Sequence, residues 1–188
     1  MNEGETACPS ESEQPAVSGG QAAASGISRL DAAIGLGANL GDPRRQLRWA
    51  VSEIARHGRL LALSKLYRSA PVGGPPQPDF LNAAVRVEYD GSAAGLLDLL
   101  LEIERAAGRE RRERWGPRCL DLDILWIAGL VVEQPGLCIP HPRLRERAFA
   151  LQPLIDVAPE AIDPRDGSAF QRVLTEVGRS GIEALEWS

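Results

Sequence analysis

The sequence is best understood from residues 108–126, GRERRERWGPRCLDLDILW, in which five arginines precede two aspartates. Asp121 and Asp123 alternate with apolar residues, as in a half-buried strand, so both carboxylates lie on one face. Neighbouring carboxylates repel each other unless a cation lies between them, and Mg²⁺ binds such oxygens together with phosphate oxygens. The stretch predicts a magnesium–phosphate site; the alternative is a solvated charged loop before a strand with an exposed acidic face. Its arginines, which suit phosphate, are Arg109, Arg111, Arg112, Arg114 and Arg118.

Working outward, the flanking segments alternate between strand and helix patterns. Asp42-Pro43 predicts the start of a helix that ends near Gly58. Ser92 predicts the cap of a second helix, which runs through Ala107 and ends at Gly108. Strands are predicted over 31–37, 60–68 and 80–89, and the Asp121 strand follows. The order β-α-β-β-α-β predicts a ferredoxin-like α+β fold, with an antiparallel sheet and the helices packed on one face of it.

The segments after residue 126 predict smaller elements. Ile127–Val132 predicts a short hairpin that turns at Ala128-Gly129. A short helix after His141 would place Arg143 and Arg147 on one face. One further helix is predicted near Phe170–Gly178, followed by a loose end.

Length and composition bound the class of protein. The chain has 188 residues, 44% of them hydrophobic and 25% charged, which suits one globular domain. Residues 1–28 are rich in Gly, Ser, Ala and Glu and contain no aromatic residue. They predict a disordered tail, which leaves a single domain over 29–188.

Charge and hydropathy exclude some partners. The net charge is −5, and four glutamates precede the first basic residue, so the rest of the chain is close to neutral. A near-neutral body argues against a general nucleic-acid binder, which is usually strongly basic. No apolar run of about 18 residues predicts a membrane span. The secretory-signal pattern is absent and the three cysteines are far apart, so neither a disulfide framework nor a zinc site is indicated. We expect a cytoplasmic monomer.

Two glycine-rich segments have less specific patterns. IGLGANLG, residues 34–41, has its glycines one residue too far apart for a dinucleotide fingerprint. We interpret them as turn glycines, with Asn39 lining something nearby. Ser69–Asp79 is a proline- and glycine-rich loop that either carries function or simply connects two strands.

No Walker A sequence is present, so phosphate binding would depend on metal and arginine. Asp121 and Asp123 are the candidate metal ligands, and Arg109 and Arg118 are the candidate cations. Phe80 and Phe149 could stack on a flat heterocycle while the Asn82 amide reads its edge.

Four motifs together closely resemble the 6-hydroxymethyl-7,8-dihydropterin pyrophosphokinase family of folate biosynthesis: RWGPRCLDLDIL (114–125), PHPRLRERAFALQPL (140–154), PDFLNAA (78–84) and IGLGANLG (34–41). The resemblance covers about residues 31–165. It implies a ferredoxin-like fold and transfer of the pyrophosphoryl group of ATP to the pterin hydroxymethyl oxygen, with release of AMP.

The resemblance also implies roles for individual residues. Asp121 and Asp123 would hold two Mg²⁺ ions, and Arg109 and Arg118 would contact the phosphates and assist transfer. Further contacts to ATP would come from Glu104, Trp115, His141 and Arg147. The pterin would be bound by Ser69, Ala70, Val72, Phe80, Asn82, Trp115 and Phe149, with Trp115 on a mobile loop that closes over the site.

Two departures from the family pattern affect these roles. The Gly108–Trp115 loop is one residue shorter than in some members, so the separate roles of Arg111, Arg112 and Arg114 stay open. Phe80 stands where many members carry tyrosine, which keeps the stacking surface and removes a hydroxyl.

Two other classes of protein share parts of this pattern. RRM-type RNA-binding modules have the same strand–helix order, but here the interleaved aromatic pattern is missing and the charge is acidic. A Mg²⁺-dependent phosphodiesterase also uses paired aspartates. Salt-dependent RNA binding without ATP turnover would favour the first class, and release of inorganic phosphate in place of AMP would favour the second.

Overall fold

The structure is a computed structural model that describes residues 29–108 and 116–187. Its first elements are β1 Arg29–Ala38, α1 Pro43–His57, β2 Arg59–Leu63, β3 Leu66–Ser69, β4 Phe80–Asp90, α2 Ala93–Ala106 and β5 Asp121–Ile127. The C-terminal part adds β6 Val132–Gln134, β7 Leu137–Ile139, a 3₁₀ turn at Leu144–Glu146, α3 Ala148–Val157, α4 Phe170–Val177 and β8 Ile182–Leu185. The disordered tail predicted over 1–28 lies outside the described residues.

The main sheet has the strand order β5-β1-β4-β3-β8, and β2 also pairs with β4. Its strand pairs are antiparallel. The ferredoxin-like α+β prediction is therefore confirmed. The single strand predicted over 60–68 is wrong, because it divides into β2 and β3 at Ser64. There the Ser64 hydroxyl accepts a hydrogen bond from the Ala84 N–H at 2.8 Å, in place of a backbone carbonyl.

The predicted helix caps are confirmed. The Asp42 carboxylate accepts a hydrogen bond from the Arg45 N–H at 3.1 Å at the start of α1. The Ser92 hydroxyl accepts one from the Gly95 N–H at 3.0 Å at the start of α2. These bonds satisfy backbone donors that the first helical turn leaves unpaired. Both helices therefore begin where the sequence predicts.

Helices cover both faces of the sheet, whereas the sequence predicted one. Large β1 residues such as Ile34 and Leu36 pack with α1 and α2 in one apolar cluster. Ala33 of β1 and Ala84 of β4 pack with α3 and α4 in a second cluster on the opposite face. Small side chains on this second face let α3 approach the strands closely. The C-terminal segment thus supplies a second helical layer.

Three smaller predictions after residue 126 are wrong. A turn does form at Ala128-Gly129, where the Leu130 N–H donates to Ile127 O at 3.2 Å, but the hairpin lies between β6 and β7, with its turn at Gly136. The segment from Arg143 to Arg147 forms a 3₁₀ turn in place of a helix with both arginines on one face. A local hydrogen bond from the Arg143 N–H to His141 Nδ1, at 3.2 Å, competes with helix formation there. The predicted loose end contains β8, which pairs with β3.

Among residues 29–108 and 116–187, no helix is both long enough and apolar enough to span a bilayer.

Candidate active site

A pocket of about 290 Å³ opens between the α3 face of the sheet and the loops around it. It brings together strands β1, β3, β4 and β5 with the segment that leads into α3. Most of the site residues predicted from the sequence line this pocket. They are Ser69, Ala70, Val72, Phe80, Asn82, Arg118, Asp121, Asp123, His141, Arg147 and Phe149.

The floor of the pocket is formed by Gly35 and Gly37, which the sequence analysis wrongly interpreted as turn glycines. Both lie inside β1, where Gly37 is paired with Asp121 on one side and Asn82 on the other. A Cβ atom at Gly37 would lie 3.6 Å from Asn82 Oδ1 and 3.8 Å from Asp121 Cβ. The absence of side chains therefore leaves room for a ligand between the acid strand and the amide strand.

The acid pair lies on one face of β5, as predicted, and both aspartates are half-buried. Arg118 donates a hydrogen bond to Asp121 Oδ2 at 2.6 Å. Burial, followed by the charges of Asp121 and Glu104, raises the pKa of Asp123 to about 7. A cation bound beside Asp121 and Asp123 would offset the repulsion between these carboxylates and favour the charged form of Asp123.

Arg147 lies at the start of α3 and is the buried cation of the site. Its Nε atom is buried and has no hydrogen-bond partner among the described residues. Burial and the nearby charge of Arg143 lower its pKa. A buried guanidinium donor without an acceptor is unfavourable unless a ligand supplies one. Arg147 is therefore suited to bind an anionic group that enters the pocket.

His141 is held in a neutral form. Its backbone N–H donates to Leu125 O at 2.9 Å, and its Nδ1 accepts a hydrogen bond from the Arg143 N–H. Burial, together with the charge of Arg147, lowers its pKa to about 4. With Nδ1 acting as an acceptor, the ring proton is assigned to Nε2. At neutral pH His141 can therefore donate a hydrogen bond without adding charge.

The opposite side of the pocket is formed by two aromatic side chains, Phe80 and Phe149, and the side-chain amide of Asn82. Phe80 is the first residue of β4, and Phe149 lies in the first turn of α3, 5.6 Å from the Arg147 guanidinium carbon. Asn82 is buried and donates through Nδ2 to Ser69 Oγ at 3.0 Å and to Tyr67 O at 3.3 Å. Since Nδ2 already donates to these two acceptors, Oδ1 of Asn82 is the atom available to a ligand.

Asn39 has a role that the sequence reading did not recognise. Its Nδ2 donates to Gln77 Oε1 at 2.9 Å and to Pro78 O at 3.0 Å. Its Oδ1 accepts a hydrogen bond from the Arg118 N–H at 2.8 Å. Asn39 therefore ties together the two loops that flank the pocket. The sequence signal was only that an asparagine directly follows the glycine-containing strand.

Among the residues that the structure describes, one predicted site residue, Glu104, does not line the pocket. Glu104 is buried on α2, and its Oε1 accepts a hydrogen bond from the Leu122 N–H at 2.7 Å, which holds β5 between the two acids. Arg109 and Trp115, together with Arg111, Arg112 and Arg114, lie outside the described residues.

Known proteins resemble this chain in sequence. The family model described as 7,8-dihydro-6-hydroxymethylpterin-pyrophosphokinase (HPPK) matches residues 33–159. A 2-amino-4-hydroxy-6-hydroxymethyldihydropteridine pyrophosphokinase from Methylorubrum extorquens is 41% identical over 155 residues, which cover 81% of this chain and 97% of that protein. The enzyme of the same name from Pseudomonas aeruginosa is 41% identical over 154 residues, with coverages of 81% and 94%.

Solved structures agree at the level of the fold. The crystal structure of wild-type HPPK-DHPS from Plasmodium falciparum superposes with a TM-score of 0.65 at 12% identity, covering 86% of this chain and 49% of that one. This chain thus spans about half of that longer fused protein. The sequence matches confirm the resemblance inferred from the four motifs and do not favour an RNA-binding module or a phosphodiesterase. This chain belongs to the 7,8-dihydro-6-hydroxymethylpterin-pyrophosphokinase family.

Proposed function

We propose that the pocket is where this pyrophosphokinase of folate biosynthesis transfers the pyrophosphoryl group of ATP to the hydroxymethyl oxygen of 6-hydroxymethyl-7,8-dihydropterin, releasing AMP. The observation that carries the proposal is the meeting, in one pocket, of a paired acid strand with an aromatic and amide wall. The acid side suits a charged polyphosphate, and the aromatic side suits a flat heterocycle. The transferred group would pass between them.

The pterin half of the proposal rests on Phe80, Phe149 and Asn82. The two rings stand on opposite elements, β4 and α3, from which they can contact the two faces of a planar ligand. Asn82 presents Oδ1, an acceptor, because Ser69 Oγ and Tyr67 O hold its two donors. A pterin ring carries N–H donors that suit this acceptor. Ser69, Ala70 and Val72 would contact its edge.

The phosphate half rests on two cations and one neutral donor. Arg147 Nε would gain the acceptor that it lacks among the described residues. Arg118 would offer guanidinium donors beside Asp121, to which it is already bonded. His141 would donate from Nε2 as a neutral ring. Fixed donors around a polyphosphate stabilise the charge that develops on its oxygens during transfer. The protein therefore needs to position and stabilise the reacting groups and need not react covalently itself.

The donor set of Asp121 and Asp123 fits a hard divalent cation, because both are carboxylates. Burial, and then the charges of Asp121 and Glu104, raise the pKa of Asp123, and a bound cation would favour its charged form. Among residues 29–108 and 116–187, no cluster of three or more His, Cys, Asp or Glu side chains is available. Phosphate oxygens and water would therefore complete the coordination of two Mg²⁺ ions. When bound, the ions would neutralise charge on the ATP phosphates.

Three further residues are assigned roles within the proposal. Arg109 would contact the phosphates, and Trp115 would cover the bound ligands and limit the access of water, which would otherwise hydrolyse ATP. Glu104 would act on the nucleotide indirectly, since its carboxylate holds the Leu122 N–H between the two acids.

The test is an assay with ATP, Mg²⁺ and the hydroxymethyl pterin. Nucleotides are separated by chromatography, and the pterin product is identified from its mass by mass spectrometry. We expect AMP and a pyrophosphorylated pterin in equal amounts. Omission of the pterin should abolish AMP formation, because the acceptor hydroxyl is then missing. Inorganic phosphate as the main product, with the pterin unmodified, would overturn the proposal.

We further propose that residues 29–188 form the single functional domain, that it acts as a monomer, and that the reaction takes place in the cytoplasm, where ATP is available. The support is that the pocket is lined by residues between Gly35 and Ala150 of one chain. A protein trimmed to residue 29 should retain full activity and sediment as a monomer. Loss of activity on trimming would give the N-terminal segment a role in catalysis.

A further inference from the structure

We propose that Asn39 couples the binding of the pterin to the binding of the nucleotide, an inference that rests on the function proposed above. Asn39 directly follows β1 and is 3% exposed. It lies between two loops that line different parts of the pocket. The first, residues 70–79, leads into Phe80 and the aromatic wall. The second, residues 116–120, leads into the acid strand.

The phosphate-side loop is held to Asn39 by three hydrogen bonds. The backbone N–H groups of Asn39 and Leu40 donate to Arg118 O at 3.0 and 3.3 Å. The Arg118 N–H donates to Asn39 Oδ1 at 2.8 Å. The backbone of Arg118 is therefore fixed relative to Asn39. A change in the Arg118 backbone on phosphate binding would therefore be transmitted to the Asn39 amide through these bonds.

The pterin-side loop is held by the other end of the same amide. Asn39 Nδ2 donates to Gln77 Oε1 at 2.9 Å and to Pro78 O at 3.0 Å. Pro78 precedes Phe80 by two residues, and Gln77 itself lines the pocket. Stacking of a pterin on Phe80 would therefore act on the position of Pro78.

The side-chain amide of Asn39 is planar, so its oxygen and nitrogen cannot move independently. A loop arrangement that suits one ligand therefore restrains the loop that binds the other. Binding of either ligand would order both loops, and the second ligand would bind with less ordering cost. Because coupling free energy is reciprocal, the pterin must strengthen nucleotide binding by the same factor. We name this factor the coupling ratio.

The test measures the coupling ratio by isothermal titration calorimetry. The pterin is titrated into protein with and without a non-hydrolysable ATP analogue and Mg²⁺, and the analogue is titrated with and without the pterin. For the unmodified protein we expect a coupling ratio of about fivefold or more, in the usual range for coupled sites. If neither ligand binds the unmodified protein, the proposed function fails before the role of Asn39 is tested.

The decisive variant is Asn39→Asp, which keeps the acceptor for the Arg118 N–H and removes the donors to Gln77 and Pro78. We expect its coupling ratio to fall to within about twofold of unity, in the range where sites act independently. The added negative charge beside Arg118 should weaken binding of the nucleotide analogue alone, but the coupling ratio compares titrations of the same variant and so separates this effect from the coupling. A coupling ratio equal to that of the unmodified protein overturns the proposal, as does a ratio near unity in the unmodified protein.

Two further variants separate coupling from stability. Gln77→Leu removes one of the two pterin-side bonds and should lower the coupling ratio in part, which keeps the test available if Asn39→Asp does not fold. Trp126→Phe removes a buried hydrogen bond to Ile162 O, 2.8 Å long and on another part of the sheet, and should leave the ratio unchanged. If Trp126→Phe lowers the ratio as much as Gln77→Leu does, the effect reflects general loosening of the fold and the proposal is wrong.

Discussion

Gly37 shows at the scale of one residue how a missing side chain defines the site. It lies near the end of β1 and is paired with strands on both sides, where glycine is ordinarily unfavourable because it has no side chain to pack. Its value here is the space it leaves between Asn82 and Asp121. The same position filled by a methyl group would lie where the proposed ligand enters.

We therefore predict that Gly37→Ala folds normally but binds the pterin more weakly, by about 1–3 kcal/mol, the usual cost of overpacking. Space for the methyl group exists in the free protein, since the nearest atom to a Cβ is 3.6 Å away. Calorimetry would measure the affinity, and thermal unfolding the stability. Gly35→Ala is the contrasting variant, because its Cβ would lie 3.0 Å from Leu125 Cδ2 and should also lower the melting temperature. Unchanged pterin affinity in Gly37→Ala would show that the ligand does not lie above this residue.

The second prediction at this scale concerns Asp123. Asp123→Asn should abolish Mg²⁺-dependent release of AMP, because one of the two proposed metal ligands loses its charge. The melting temperature of the metal-free protein should not fall, since the change removes repulsion from Asp121 and Glu104. Asp98→Asn, at an exposed position on α2, is the matched control and should retain activity. Substantial turnover by Asp123→Asn would remove this residue from the metal site.

At the scale of elements, the sequence predicted well wherever a local pattern determines the structure. The caps at Asp42 and Ser92 and the alternation around Asp121 are local, so α1, α2 and β5 followed from them. The function of Gly37 and Asn39 depends on strands that are distant in sequence, and no local pattern reports such pairings. The acidic and aromatic residues of the site could therefore be predicted from residue type. The glycine floor of the pocket and the Asn39 link between its loops could be recognised only from the folded structure.

The strand β8 is an element that local patterns missed, and it supports the pocket from outside. It pairs with β3 through four residues, including Ile182 opposite Ser69, which lines the pocket. Trp187 Nε1 then donates to Ser64 O at 2.7 Å, at the break before β3. On its other side β3 has only three paired residues with β4. Residues 33–159 match the family model, and β8 follows them in the chain. The position of Ser69 therefore depends on a segment outside the part that matches the family.

We predict that truncation after Gly178 raises the KM for the pterin by about threefold or more and changes the KM for ATP less. The reason is that β3 loses its outer hydrogen bonds, each worth about 1 kcal/mol, while the acid strand lies at the opposite edge of the sheet. Steady-state kinetics well below the melting temperature would measure both constants. Glu183→Ala is the control. It removes only an exposed ion pair with Arg68, which should contribute little. Equal increases in both KM values would indicate general destabilisation in place of a local effect.

At the scale of the whole molecule, the site exists because two helical layers enclose one sheet. The α1–α2 layer supports the strands, and the α3–α4 layer carries Arg147 and Phe149 over them. Ion pairs help to fix the second layer. Arg86 on β4 binds Asp31 of β1 and also Glu160, which follows α3. Tyr67 on β3 donates to Asp156 of α3 at 2.7 Å.

Asp163, between α3 and α4, adds a buried carboxylate whose charge depends on pH. It is fully buried and accepts hydrogen bonds from Arg165 Nε at 2.9 Å and from the Arg165 N–H at 3.0 Å. Burial alone would raise its pKa, but the bonds from Arg165 and the charge of Arg145 hold the pKa below its usual value. The pKa of Asp166 nearby is also lowered, chiefly by hydrogen bonds from Ser168.

Acid should therefore weaken the fold through this cluster. Because the folded-state pKa of Asp163 is depressed, the unfolded chain binds more protons below about pH 4, and the stability present above that pH is lost as the pH falls. Asp163→Asn should lower the free energy of unfolding at pH 7 by about 1–3 kcal/mol, for the lost charge-assisted bonds, and should flatten its decline between pH 4 and about pH 2. Urea unfolding at a series of pH values would measure both effects. Asp90→Asn, which alters an exposed pair with Arg29, should keep the acid dependence of the unmodified protein. If Asp163→Asn declines as steeply as the unmodified protein, the acid sensitivity has its origin elsewhere in the chain.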